Sequence, residues 1–170
     1  MKYLIDTDAG TCVPYEANKM STIADEMEAC LGAKEWDETV TKIQKWFYGY
    51  LSKTAWCATG LSYFSSLAGK LEQTGMFENV DDMKEYMDSR NMLDCTKNYG
   101  GGAYKAKRGD VVFMSSKYNY LDCTHVGVVS EINHHTGQVT ILSCNHNDAI
   151  GKEIRNYLTD KYVVAWGRVD

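Results

Sequence analysis

Apolar residues recur at helical spacing through the first half of the chain and give way to strand-like runs in the second. Met20, Ile23, Met27, Cys30 and Leu31 mark one helix between Glu16 and Ala33, with Gly32 at its stop. Val40, Ile43 and Phe47 place a second between Thr39 and Tyr50, ending at Gly49. A third is predicted from about Thr54 to Ala68, with Ser52 or Thr54 as N-cap and Gly69 just past its end. A fourth runs from Asp81 to Leu93, its first turn acidic as the helix dipole prefers. Beyond the glycine run Asn98 to Gly102, read as a flexible entry to a sheet, strands are predicted at 110–115, 125–132, 139–145, 153–158 and 163–169. Met1 to Tyr15 reads as a small hairpin around an Asp-Ala-Gly turn. Helices followed by an antiparallel sheet make an α+β fold. With no repeat or linker to divide the chain, residues 1–170 are read as a single domain.

Composition narrows the function. At 170 residues and 44% hydrophobic the chain can bury a core, and 18 Lys+Arg against 23 Asp+Glu give a net charge of −5. That balance argues against nucleic-acid and anionic-membrane partners. No run reaches the ~18 apolar residues of a membrane span, and MKYLIDTDAG carries acidic residues where a signal peptide needs an apolar stretch. The expected place of synthesis is therefore the cytoplasm. There the six cysteines would persist as thiols, used as buried hydrophobes, metal ligands or a nucleophile.

Cys57 has a setting no other cysteine shares. It falls in the first turn of the third predicted helix, where free backbone N–H groups favour a thiolate, so it should titrate below the ~8.5 of a free thiol and react first with iodoacetamide. Cys30, late in a helix, is a core residue. A cysteine nucleophile needs a histidine base held by a third polar group. His134 and His135 lie in an Asn-His-His-Thr-Gly turn and read as solvated loop residues, whereas His125 opens an apolar strand with Gly127 on the same face. If Asn133 to Gly137 form a five-residue hairpin loop, Ile132 faces Gln138 and His125 faces Asn145, whose amide would fix the imidazole tautomer. A loop one residue shorter instead aligns Cys123, His125, Cys144 and His146, two Cys-x-His pairs that could form a tetrahedral zinc site in a non-catalytic module. Periodicity does not choose between the registers. Trp56, Tyr118 and Tyr120 are aromatic candidates for lining a substrate cleft.

The order of these pieces resembles the CHAP family, the cysteine- and histidine-dependent amidohydrolases and peptidases of the papain-like class, many of them phage lysins or bacterial wall hydrolases. The resemblance rests on TAWCATGLSYFSSLAG around Cys57, KRGDVVFM from Lys107, THVGVV with His125, and VTILSCNHN with Asn145. It implies a papain-like CHAP fold with a catalytic core at residues 41–170, leaving residues 1–40 without an assigned role. It further implies peptidoglycan hydrolysis by an amidase or endopeptidase, with Cys57 as nucleophile, His125 as base and acid, and Asn145 orienting it. The Cys57 N–H would stabilise the oxyanion, with a tyrosine hydroxyl from Tyr48 or Tyr50 beside it, and Tyr50 joins the substrate-binding candidates. It also selects the register that pairs His125 with Asn145. A cysteine peptidase or toxin of the same fold with a protein substrate is the other enzymatic reading.

Two departures from the family stand out. Many members carry Glu-Gly-Asn where this chain has Ser143-Cys144-Asn145, so an acidic fourth member is missing and Ser143 offers only a neutral hydrogen bond. The stretch from Lys42 to Ala55, where some members bind calcium, has no acidic residue, so neither calcium nor any other metal or cofactor is expected.

Overall fold

The computed structural model describes residues 21–169, together with the backbone of strands β1 (Tyr3–Asp6) and β2 (Thr11–Pro14). These two strands pair antiparallel, as the N-terminal hairpin requires. The predicted Asp-Ala-Gly turn and the Glu16–Met20 part of the first helix lie outside the described residues.

Helix α1 (Ile23–Glu28) is shorter than its apolar spacing suggested. Thr22 caps it, accepting from the Asp25 N–H while the Asp25 carboxylate accepts from the Thr22 N–H, a reciprocal box that fixes the helix start. Cys30 consequently lies past the helix end, half-buried against the core. Helix α2 (Glu38–Tyr48) stops at Gly49, whose φ of 77° is the left-handed value a helix end favours. Helix α3 (Cys57–Leu67) begins later than predicted. The reason is local: the Ser52 and Thr54 hydroxyls bond each other at 2.7 Å, and Ser52 donates its N–H to Gln44, so both groups hold the approach loop rather than cap a helix. A one-turn helix α4 (Leu71–Thr74) follows, then α5 (Val80–Ser89), capped by Asn79. The helix stops at Ser89, short of the predicted Leu93, which instead opens strand β3 (Leu93–Cys95).

Strands β4 (Val111–Met114), β5 (His125–Asn133), β6 (Gln138–His146), β7 (Ala149–Asn156) and β8 (Val163–Gly167) complete a six-stranded antiparallel sheet in the order β3-β8-β4-β5-β6-β7. The helices cover one face, an α+β arrangement. Residues from Cys57 through Ser65 are buried, and Leu61 and Phe64 join Val126, Val128 and Leu142 in the main core. A second apolar cluster on the other face contains Met114, Val129, Ile141 and Trp166. The glycine run is more ordered than a flexible entry: a 3-10 turn spans Lys97–Tyr99, and the Asn98 amide donates to the carbonyls of Tyr157 and Asp160. Asp110 of the Gly-Asp pair is fully buried and accepts from the Tyr104 hydroxyl, the Lys107 N–H and ammonium, and the Val169 N–H, which anchors the start of β4.

Gly60 lets α3 approach the sheet, since a Cβ there would collide with the Cys144 side chain. Replacing Gly60 with alanine is expected to destabilise the fold by about 1–3 kcal/mol despite the better helix propensity of alanine. Chemical denaturation would measure this as a lower midpoint with an unchanged slope.

Candidate active site

The β5–β6 hairpin contains both registers that the sequence left open. Near the turn Asn133 faces Gln138 and Ile132 faces Val139, so the loop is one residue shorter than the five predicted. A bulge between Val129 and Glu131 then absorbs one residue, and beyond it Val129 faces Ile141 and Val128 faces Leu142. One step toward the strand start, this second register sets Gly127 against Ser143, which is visible in the packing because a Cβ on Gly127 would come within 3.2 Å of the Ser143 Cβ. The regular pairing with β5 stops short of Asn145. The bulge residue Ser130 is clamped: its carbonyl accepts from Arg108 at 2.8 Å, and Arg108 is paired in turn with Asp25 and Glu28 of α1.

At the far end of β6 the ladder is interrupted between Ser143 and His146, and Asn145 takes a left-handed φ of 57°. Asn147 and Asp148, also left-handed, make a two-residue turn into β7. His125 and Asn145 line one open cavity of about 340 Å³, together with His146, Glu153, Arg155 and Tyr162. No hydrogen bond among the described residues joins the imidazole to the Asn145 amide. His125 lies opposite Met114 across β4, which places it on the sheet face away from the helices. Burial pushes its pKa down to about 4, with Glu153 acting to raise it and His146 to lower it.

Cys57 is the first residue of α3 and is 6% exposed within the helix-side core, outside the His125 cavity. Its sulfur faces the backbone N–H groups of Ala58, Val126 and Cys57 itself. Val126 immediately follows His125, so the thiol and the imidazole flank the start of β5 from its two sides. The structure corrects the expected ionisation. Burial raises the Cys57 pKa and outweighs the lowering by the three N–H groups, so the resting group is a thiol. Half-buried Cys95 is therefore expected to be alkylated by iodoacetamide before Cys57, and peptide mapping of the modified protein checks the order.

The remaining candidates separate clearly. Trp56 is 1% exposed, so it packs beneath the helix start and presents no surface to a substrate. Tyr120 packs against the core, with the Lys84 ammonium 4.4 Å above its ring. Tyr50 and Tyr118 are 62% and 61% exposed but lie outside the His125 cavity. Tyr48 has its pKa pushed up to about 12 by burial and by Glu78. Ser143 is fully buried and its hydroxyl bonds no described protein group, so it offers His125 no hydrogen bond. His134 is not a solvated loop residue: its ring nitrogens meet the Tyr157 hydroxyl at 3.0 Å and the Ala106 carbonyl at 2.9 Å.

The four residues of the zinc alternative are divided between the two sheet faces. Cys144 is buried beneath Gly60 and the Cys123 thiol points to the Tyr120 carbonyl, both in the helix-side core. His125 and His146 line the cavity on the other side. Among the described residues no three His, Cys, Asp or Glu side chains gather as metal ligands.

Residues 48–145, more than half of the chain, match the CHAP domain and run from Tyr48, at the end of α2, to Asn145. The chain belongs to the CHAP domain family. No curated protein matches it. Among solved structures, this CHAP chain is similar to the crystal structure of Ly7917 with the hydrolyzing product of MDP, at 12% identity and a TM-score of 0.49, over 86% of this chain and 61% of that one. A second crystal structure of Ly7917 aligns at 10% identity and a TM-score of 0.49, over 87% of this chain and 61% of that one. The chain thus aligns with less than two thirds of the Ly7917 chain.

Beyond the segment that matches the CHAP domain, sequence reasoning missed Glu153 and Tyr162, which line the His125 cavity. The sequence pattern opens this strand at Glu153, whereas the Asn147–Asp148 turn starts β7 at Ala149 and brings Glu153 opposite Ile141. Two consecutive turn-forming residues after Asn145-His146 were the available signal.

Proposed function

We propose that this CHAP chain hydrolyses an amide bond in the peptide of bacterial peptidoglycan, as an amidase or endopeptidase. The observation that carries the reading is the placement of Cys57 at the first position of α3, with its sulfur against the N–H beside His125, inside a segment matched to the CHAP domain. Sγ attacks the amide carbonyl while the thiol proton passes, through one water at the start of β5, to neutral His125. The C–N bond then breaks, His125 gives the proton to the departing amine, and a thioester remains. Water activated by His125 hydrolyses the thioester and restores the thiol. The N–H groups of Cys57 and Ala58 stabilise the oxyanion, and Asn145 steadies the imidazole. Because thiol and imidazole both rest neutral, proton transfer accompanies attack.

Digestion of purified peptidoglycan, followed by mass spectrometry of the soluble muropeptides, tests this. New amino groups are the expected product. Release of reducing sugar ends without new amines would show glycan cleavage and overturn the reading.

A further inference from the structure

The acidic partner that many family members carry on β6 is absent here, and a carboxylate stands on the neighbouring strand. At the family position the chain carries Ser143, a buried hydroxyl bonded to no described protein group. One strand further out, Glu153 of β7 lines the same cavity as His125 and Asn145. Its side chain is 11% exposed. Both close contacts from Arg155, by Nε and Nη2 at 2.6 Å, fall on Oε2, and no hydrogen bond from a described residue reaches Oε1. Arg155 is itself fixed, paired with Asp160 at 3.3 Å and stacked 4.3 Å from the Tyr162 ring. The carboxylate is thus pinned by one oxygen at a set place in the His125 cavity.

We propose that Glu153 is a positioning residue for His125, its carboxylate stabilising the imidazolium that forms when the base takes the Cys57 proton. This rests on the catalytic role of His125 given above and identifies the negative charge that role requires. The titratable and charged groups around the imidazole are His146 from β6, Glu153 and Arg155 from β7, and Tyr162 ahead of β8, with Cys57 across β5. Glu153 is the one carboxylate among them. His146, when protonated, opposes it, and Arg155 offsets part of its charge. In chemical terms, a buried base that lacks a counter-charge holds a proton poorly, and a carboxylate nearby restores part of its basicity.

Glu153→Gln keeps the shape and removes the charge. Its expected effects are an imidazole titration of His125, followed by NMR, moved about one pH unit lower, and kcat on a defined muropeptide reduced about tenfold with KM within twofold. The acid limb of the kcat/KM profile should move to lower pH with the titration. Glu153→Asp, which keeps the charge, should stay within about threefold of wild type. An unchanged His125 titration in Glu153→Gln, or equal losses in the Gln and Asp variants, overturns the proposal. The NMR titration needs no turnover, so a wild-type protein that leaves peptidoglycan intact while His125 still responds to Glu153 would refute the hydrolase reading and leave the electrostatic pairing standing.

Discussion

Replacing Cys57 with alanine is expected to lower the rate of amide release from peptidoglycan by about 10⁴-fold or more, because no other group can form the thioester. The other described cysteines cannot substitute. Cys144 is sealed under Gly60, Cys123 is buried with its pKa pushed up to about 11, Cys30 lies at the margin of the core, and Cys95 lies half-buried in β3. The fold should survive. Alanine removes one buried sulfur and leaves the α3 backbone and its packing on Val126 in place, a change of about 1–2 kcal/mol. Product assay and thermal unfolding on the same sample separate the two effects. Wild-type turnover by Cys57→Ala would exclude covalent catalysis by this thiol.

The second large effect concerns His125, whose replacement by glutamine should reduce turnover by about 10³-fold or more and also change how the protein responds to acid. The free imidazole titrates at 6.5, and in the fold burial brings it to about 4. Between these values the unfolded chain holds a proton that the folded chain does not. Stability is therefore fully present above pH 6.5 and is lost as pH falls toward 4, by about 3 kcal/mol. His125→Gln should remove that part of the pH dependence. Denaturation midpoints for wild type and variant at pH 7.5, 5.5 and 4.5 would show it, and parallel profiles would contradict the burial of a neutral imidazole. The low pKa also means that the base remains unprotonated in mild acid, so the acid limb of the catalytic profile should lie below pH 6.

The sequence carried most of the architecture because its signals were local. Val40, Ile43 and Gly49 bound α2 almost to the residue, and the β4 and β5 runs fall where their apolar residues do. Errors arose where a side chain had two competing uses. Ser52 and Thr54 are good caps in isolation, yet Gln44, one turn before the end of α2, draws Ser52 into a loop bond that no short window reveals. Thr22 and Asp25 form a capping box inside an apolar periodicity that reads as continuous helix. His134 lies in a turn by composition, but β7 and the approach to β4 bring Tyr157 and the Ala106 carbonyl to its ring. For the site, sequence spacing identified His125 and Asn145, which share a cavity. It could not supply the sign of the Cys57 shift, because helix-terminal N–H groups are visible in a sequence and the depth of the sulfur in the helix-side core is not.

The bulge at Ser130 divides the β5–β6 hairpin into two lengths that keep separate count. The outer length is set by the turn at residues 134–137, and the inner length by the glycine contact at Gly127 and the clamp from Arg108 and α1. Changes at the hairpin tip need not reach the imidazole. Deleting the bulge residue would leave the tip intact but slide the inner strand by one position, turning the face that carries His125 toward the helices. One serine at a strand irregularity therefore governs which side of the sheet the imidazole occupies.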